Sequence, residues 1–361
     1  MIPVKIPPCF SPELHTGVST QAACAVGAAL IAAKTPPGKV AWVIVKDTAA
    51  LERWAYGIEF FQKDHPLKRL ENARVLVFPE IPDLDEDDVR ALEAQSDRLS
   101  VLAALHRHTA ADGTLVICST PAALMQGAPS VEALEKTQLI LKPKSVLPFQ
   151  SLVEKLSGEL GYDNEAVCET PGQFSVRGGI IDVYPLNAAA PARIDFFGDE
   201  IESIRAFDPT TQRGAQALNE LLIVPAPARV AQDSRALSLP CGYLPREGVL
   251  WIVEQPRDLD ALNTEIFQKP ENFTSPKPNL QTLLDAREGA ADRWAGLSQF
   301  DESPELFDHA LETIEHRTES LAQYRPFVDV QSLGADRLDA ETRTRTDFLR
   351  TVARFAKNKE A

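Results

Sequence analysis

The chain has 361 residues, a hydrophobic content of 44%, a charged content of 25% and a formal net charge of −15. This length exceeds one ordinary hydrophobic core, so two or three domains are expected, and the composition is that of a globular protein, not a disordered one. The acidic balance argues against a free-standing nucleic-acid binder, which would present a basic surface, and leaves open only a local basic patch.

The cysteine positions and the lengths of the apolar runs indicate the cellular compartment. No two cysteines form a C-x-x-C pair, so neither a disulfide framework nor a zinc knuckle is indicated, and a reducing cytoplasm fits best. The longest apolar run, residues 22–33, is too short to span a bilayer, and the proline-interrupted start does not resemble a signal peptide. We therefore predict a cytoplasmic protein with no membrane partner. The five cysteines are Cys9, Cys24, Cys118, Cys168 and Cys241.

Helix and strand patterns alternate along the first part of the chain. An alanine-rich helix is predicted over residues 21–34, and a second helix is predicted from Asp47 or Thr48 to about Gln62. Nearly continuous apolar runs predict strands buried on both faces at residues 39–45, 73–78 and 114–118. This alternation predicts an α/β unit with a parallel sheet.

Two groups in this part have the residue types of a metal site. The acids of residues 83–88 could gather a hard cation, but they also open an amphipathic helix, where they oppose the positive end of its dipole. His106 and His108 are spaced so that they lie on different faces of that helix, which favours a charge role at its C-terminus. We predict no metal site.

The stretch Thr170 to Gly214 differs from the rest because it predicts short antiparallel strands. Strands are indicated at residues 174–177, 180–184, 192–197 and 200–207, and Gly178-Gly179 and Gly198-Asp199 provide turns between them. Residues 221–225 are expected to close this small sheet.

Alternation within these strands divides their side chains between two faces. Ile194 and Phe196 are predicted to face the core, while Arg193, Asp195 and Phe197 face outward. In the first strand Ser175 and Arg177 are predicted to point outward, and Arg177 and Arg193 lie on strands that could be neighbours. The outward face is either a solvated surface or a partner-binding surface, since an aromatic beside arginine is typical of hot spots.

The chain then returns to the first pattern. Residues 248–253 again predict a buried α/β strand, so the β-rich stretch would be an insert within a discontinuous α/β domain. From about Ser303 the sequence is polar and helical in character, and residues 343–357 are the last helix candidate.

The residues that nucleotide binding and hydrolysis would require are missing from the α/β unit. A phosphate-binding loop needs G-x-x-x-x-G-K-[ST], but Thr16 to Gln21 offers one glycine and no lysine, and Val253-Glu254 supplies only one acid. Asp182 with Asp195, or Glu200 with Glu202, would be carboxylate pairs for acid–base work, but acids on exposed strand positions are usually solvated. We predict a scaffold with no catalytic residues, no cofactor and no ATPase activity.

One long motif identifies a family. The pattern G-[QE]-[FY]-x-x-R-G-G-x-x-D-[IVL]-[FY]-P, then R-[IVL]-[DE]-F-F-G-D-E-I-[ED]-S-[IL]-R-x-F-D, then T-Q-R, stands nearly complete across Pro171 to Arg213. It resembles the domain through which UvrB and the bacterial transcription-repair coupling factor (Mfd) contact UvrA. The phosphate loop and DNA-gripping tyrosine hairpin of UvrB-like chains are missing, which is how the N-terminal UvrB-like region of the coupling factor looks.

The resemblance implies a fold and a domain plan. The fold would be a degenerate P-loop-type, helicase-like parallel-sheet domain, discontinuous, with an inserted antiparallel β-rich (α+β) domain of the UvrB-interaction type. Residues 1–143 would form the first α/β part, 144–226 the UvrA-interaction domain, 227–345 the second α/β part, and 346–361 a C-terminal helix that begins a linker or next domain.

The resemblance also implies partners and contact residues. UvrA would be bound by Arg177, Arg193 and Phe197, with Asp195 between them as a partner for arginines of either chain. RNA polymerase and DNA would be reached only through other regions of a longer coupling-factor chain, whose motor motifs are absent from this sequence. The alternatives are a nucleotide-driven, helicase-type enzyme, or a stand-alone remnant that binds DNA directly.

Overall fold

The computed structural model describes residues 12–36, 38–64, 70–82, 89–109, 111–211, 213–226, 238–257, 280–300, 307, 310, 312–316 and 318. Its helices are α1 (Ala23–Lys34), α2 (Thr48–Asp64), α3 (Val89–Arg107), α4 (Pro121–Met125), α5 (Val131–Thr137), α6 (Phe149–Glu154) and α7 (Leu280–Ala286). Its first strands are β1 (Pro12–Thr16), β2 (Val40–Ile44), β3 (Arg74–Phe78), β4 (Leu115–Ser119), β5 (Leu139–Leu141), β6 (Asp163–Asn164), β7 (Gln173–Arg177) and β8 (Ile180–Val183). The remaining strands are β9 (Ala192–Phe197), β10 (Glu200–Phe207), β11 (Gly214–Ala217), β12 (Leu221–Ile223), β13 (Val249–Glu254), β14 (Arg293–Leu297) and β15 (Glu312–Glu315).

The larger sheet has seven strands in the order β15-β1-β14-β13-β2-β4-β3, and every pairing in it is parallel. Strands β2, β4 and β13 lie at its centre and are buried along their length. Their continuous apolar sequences follow from this position, because a central parallel strand is covered on both faces. The predicted α/β unit with a parallel sheet is confirmed. The prediction that residues 73–78 are buried on both faces is wrong, because β3 is an edge strand in which only Phe78 is buried.

Helices cover both faces of this sheet. On one face α1 and α2 pack through residues such as Ile31, Trp54 and Ile58. On the other face α3, α4 and α7 cover a row of stacked indoles: the ring of Trp251 lies 5.7 Å from that of Trp42 and 4.9 Å from that of Trp294. Three layers result, with apolar side chains on both sides of the strands.

The second sheet has six strands in the order β11-β10-β9-β8-β7-β6. All its pairings are antiparallel except that of β6 with β7. One face packs on α6 and the helical turn that follows it, through side chains that include Leu152, Leu156, Phe174 and Ile194. The separate antiparallel β-rich region expected from residues 170–214 is therefore present.

A short pair of strands joins the two sheets. β5 leads into the β-rich region and β12 leads out of it, and the two pair antiparallel with Leu139 opposite Ile223 and Leu141 opposite Leu221. The prediction that residues 221–225 close the six-stranded sheet is wrong, because β12 uses its ladder hydrogen bonds with β5 instead. Entry and exit of the chain consequently lie side by side.

The remaining structural predictions have different outcomes. Residues 312–315 form a strand at the edge of the larger sheet, paired with β1, and not the helical structure expected after Ser303. The helix candidate at residues 343–357 and the acidic cluster at residues 83–88 lie outside the described residues. The division into four segments stays a prediction, although β13 and β14 do lie in one sheet with β1 to β4.

Candidate protein-interaction face

Two tight hairpins meet at one end of the six-stranded sheet. Arg177 pairs with Ile180 across Gly178-Gly179, and Phe197 pairs with Glu200 across Gly198-Asp199. Both first glycines have positive φ, 59° and 63°, as a Gly-first two-residue turn requires. The Phe196 amide donates to the Gly179 carbonyl over 2.9 Å, which joins the hairpins. We call residues 177–180 and 197–200 the hairpin tip.

Phe197 is the most exposed feature of the hairpin tip. Its side chain is 81% exposed, whereas Ile194 is fully buried and Phe196 packs edge-on against Phe149 with ring centroids 5.2 Å apart. The alternation along β9 thus places Phe197 on the outward face, as the sequence predicts. A large aromatic that gains nothing from the protein's own core is available to a partner.

Arg177 lies at the same tip but not beside Arg193. Its guanidinium is exposed and donates to the Ala166 carbonyl over 3.0 Å. Strand β8 lies between β7 and β9, so the prediction that the two arginines occupy neighbouring strands is wrong. The order of strands follows from the two consecutive hairpins, since each strand pairs with the next one along the chain.

Arg193 is engaged within the chain. Its Nε and Nη2 donate to the two oxygens of Asp182 over 2.7 and 2.8 Å, and its guanidinium lies 4.8 Å from the centre of the Phe207 ring. The hydrogen bonds that Arg193 donates to Asp182 raise the pKa of Arg193 above its ordinary value. A bidentate pair of this kind fixes the side chain in one orientation.

The outward face is therefore only partly solvated. Asp182 is 2% exposed and Ser175, which lies opposite it on β7, is 1% exposed, although Ser175 is predicted to be a surface residue. Asp182 lies on the inner strand β8, where the long side chain of Arg193 reaches it from β9. Period-two alternation predicts the side of the sheet correctly but not the burial on that side.

Asp195 also has partners in its own chain. Its Oδ2 accepts from the Ser203 hydroxyl over 2.6 Å and from Nη2 of Arg205 over 2.7 Å. The arginine expected beside Asp195 is thus present, and it comes from the adjacent strand β10. Neither carboxylate of the Asp182 and Asp195 pair is placed as an isolated acid or base, because each one neutralises an arginine.

A segment that sequence reasoning did not select borders the hairpin tip. Residues 144–147, the flanking segment, run antiparallel to the start of β10, with Val146 opposite Glu200. Lys144 N–H donates to Ile201 over 2.7 Å, and Leu147 N–H donates to Asp199 over 2.8 Å. The sequence signal was an apolar residue, Val146, that directly follows the polar run Lys142-Pro-Lys-Ser145.

The turn between β1 and α1, where a phosphate loop would lie, is closed by its own hydrogen bonds. The Val18 amide donates to the Ser298 carbonyl over 2.9 Å, and the Ser19 amide donates to Oγ1 of Thr318 over 2.8 Å. Gly17 has φ +69°, and a Cβ built on it would lie 2.0 Å from the His316 carbonyl oxygen. These amides therefore have protein acceptors in place of a phosphate.

Glu254, the single acid at the end of β13, is likewise engaged. Its carboxylate is buried and accepts from Nη2 of Arg53 over 2.7 and 2.8 Å and from the Trp54 indole over 2.8 Å. Burial raises the pKa of Glu254, and the Arg53 charge opposes that effect. The cavity beside it has a volume of about 80 Å³ and is lined by Lys46 and Arg53 among others.

Other classes of site find no support in the part of the chain that the structure describes. No cluster of three or more His, Cys, Asp or Glu side chains there is arranged to hold a metal ion. Four of the five cysteines lie in that part, and all four are buried thiols without a disulfide. Within the same ranges no helix combines the length and apolar character needed to cross a membrane.

The match to a known domain coincides with the β-rich region. Residues 139–228 match the family model described as the UvrB interaction domain, and this span begins with β5 and extends past β12. The chain contains a UvrB interaction domain. All four residues named at the sequence level, and the flanking segment, lie within that domain.

The similar curated proteins are transcription-repair-coupling factors. That of Bacillus subtilis strain 168 is 34% identical over 159 residues, which cover 44% of this chain and 13% of the relative. That of Myxococcus xanthus is 52% identical over 67 residues, 19% of this chain and 6% of the relative. That of Haemophilus influenzae is 32% identical over 161 residues, 44% of this chain and 14% of the relative. The matched segments thus span less than a sixth of each relative.

Proposed function

We propose that this chain is a non-catalytic module that binds UvrA through the hairpin tip of its UvrB interaction domain. Its place would be in transcription-coupled nucleotide excision repair, as the N-terminal region of a coupling factor that recruits repair to stalled RNA polymerase. The observation that carries the proposal is the exposure of Phe197 at the tip of the matched domain. RNA polymerase and DNA would be contacted by other regions of such a factor.

The geometry of the α/β part supports the non-catalytic reading. The sheet order and the β1–α1 turn are consistent with a degenerate nucleotide-binding domain, but the turn has no lysine and its amides are used by Ser298 and Thr318. Phosphate binding relies on such amides and on a cation beside them. At this turn the amides of Val18 and Ser19 already have protein acceptors, and Arg53, which lines the nearby cavity with Lys46, is paired with Glu254.

The contact residues differ in how directly they could bind UvrA. Phe197 and Arg177 are exposed at the tip, which suits an aromatic anchor and a charged neighbour. Arg193 and Asp195 lie farther down the same face and already have intrachain partners. We therefore assign direct contact to Phe197 and Arg177, and we assign to Arg193 and Asp195 a role in holding the face in shape.

A binding measurement between purified UvrA and the full chain tests the proposal. Phe197→Ala should weaken binding by about 2 kcal/mol, roughly 30-fold, as truncation of a central hot spot does. Phe300→Ala is the matched control, because Phe300 is 61% exposed and lies outside residues 139–228. Wild-type affinity in the Phe197→Ala chain would overturn the proposal.

A further inference from the structure

We propose that the partner-binding surface extends from Phe197 across Glu200 to Val146, so that two apolar side chains enter one apolar recess of the partner. The inference rests on the proposed function and adds the flanking segment to it. Nothing in the motif at residues 171–213 includes Val146, which precedes it by 25 positions.

The register places the three residues in one cross-strand row. Phe197 pairs with Glu200 on β10, and Glu200 pairs with Val146 on the flanking segment. Residues directly opposite each other in an antiparallel ladder project from the same face, at about 5 Å per step. Val146 and Phe197 therefore stand on one face, roughly 10 Å apart, with Glu200 between them.

The exposure of these two side chains sets them apart. Phe197 is 81% exposed and Val146 is 77% exposed, and no other large hydrophobic side chain in the described ranges is as exposed as either of them. Single exposed apolar residues are ordinary and need no explanation. Two of them in one row, inside the same UvrB interaction domain, form a patch that a partner can cover.

The backbone of the flanking segment is built to hold Val146 in this row. Lys144 has φ +68°, a left-handed conformation that is costly for a residue with a side chain. The turn at Lys144 is held by its amide, which donates to Ile201, and the Ile201 amide donates in return to Ser145 over 3.0 Å. The segment thus covers the part of β10 that β11 leaves unpaired.

The charges around the patch define the chemistry of the recess. Lys144 is 71% exposed on one side, and Arg177 is exposed on the other. Glu200 lies between the apolar residues and its carboxylate is 3.8 Å from Nζ of Lys144, so the acid in the row has a cation beside it. The complementary surface is an apolar recess with acidic groups at its rim.

Affinities of full-length variants for purified UvrA test this inference. Val146→Asp should weaken binding at least tenfold, because a carboxylate would enter the apolar recess. Tyr56→Asp is the matched control: Tyr56 is 72% exposed on α2, outside the UvrB interaction domain, and this variant should bind like the wild type. Circular dichroism melts of all variants establish that they fold.

The outcomes separate the inference from the function on which it rests. If Phe197→Ala weakens binding and Val146→Asp does not, the extension to Val146 is wrong and the UvrA-binding proposal stands. If both variants bind like the wild type, the proposed function is wrong. If Tyr56→Asp weakens binding as much as Val146→Asp, the effect comes from added negative charge and the inference fails. If Val146→Asp weakens UvrA binding and Tyr56→Asp does not, the result supports the inference.

Discussion

Arg193 lies on the outward face of the six-stranded sheet, but its guanidinium is engaged within the chain. In its bidentate pair with Asp182, the Arg193 side chain is 23% exposed and the Asp182 side chain is 3% exposed. Arg193→Ala would leave the Asp182 carboxylate buried without its cation, which costs about 3 kcal/mol or more of unfolding free energy. Urea denaturation of the full chain, followed by circular dichroism, measures this loss.

A second ion pair on the same face provides the control for Arg193. Arg205 pairs with Asp195 over 2.7 Å, but Arg205 is 49% exposed, so Arg205→Ala should cost less than about 1 kcal/mol. Equal losses in the two variants would contradict the buried-pair account. A weaker affinity of Arg193→Ala for UvrA therefore reports on the shape of the face unless its stability is wild type.

The sequence predicts these residues to different degrees. The side of the sheet follows from alternation, so the outward position of Phe197 and the inward position of Ile194 are predictable. The burial of Asp182 is not, because it depends on Arg193 crossing from β9 to β8. Val146 escapes prediction for the same reason, since its neighbour Phe197 is 51 positions away along the chain.

At the scale of elements, the edge strand β15 is tied to β1 by two histidines. His15 is 3% exposed, and its Nδ1 lies 2.8 Å from Nε2 of His316. Burial lowers the pKa of His15, the charges of His316 and Lys34 act in the same direction, and Glu13 opposes them. One ring must stay neutral for the two nitrogens to share a proton.

The lowered pKa of His15 makes the stability of the chain depend on pH. The unfolded chain takes up a proton on this imidazole near its ordinary pKa of 6.5, while the folded chain resists it. The stabilisation is therefore present above that value and is lost as the pH falls below it. Urea unfolding should show a smaller loss in His15→Gln than in the wild type between about pH 7.5 and about pH 5.5.

A histidine outside this pair serves as the control. His106→Gln is the matched control, because His106 lies at the surface beside Glu135 and leaves His15 and His316 in place. If the His15→Gln chain loses as much stability as the wild type over the same pH range, the His15–His316 contact is not the acid-sensitive one.

Elements with a strong apolar signal are the ones that sequence predicts. Strands β2, β4 and β13 lie within a residue or two of their predicted ranges, because a fully buried parallel strand has to be apolar throughout. The edge strand β15 has mostly exposed side chains and no periodic pattern, so its pairing with β1 could not be predicted. The pairing of β12 depends on β5, which lies some 80 residues earlier.

At the scale of the whole molecule, the UvrB interaction domain is attached to the α/β part through β5 and β12 and through Leu222 and Val224, which pack with the core of the larger sheet. β5 and β12 pair with each other, and Glu220 just before β12 forms ion pairs with Arg107 of α3 and Lys142. The core of the domain is a cluster separate from the two that flank the larger sheet. Most of the buried apolar residues of the domain therefore form a cluster of their own, and a separate core is what independent folding requires.

This arrangement predicts that residues 139–228 fold and bind UvrA without the α/β part. The fragment should unfold in one cooperative thermal transition and bind UvrA within about threefold of the full chain, since the hairpin tip and the flanking segment lie within it.

A fragment of residues 142–228 keeps Lys144 to Leu147 but lacks β5. It should melt at a lower temperature, because Leu141 is 2% exposed in the domain core and β12 would lose its partner strand. A 139–228 fragment that shows no cooperative transition would mean that the α/β part is needed to complete this core.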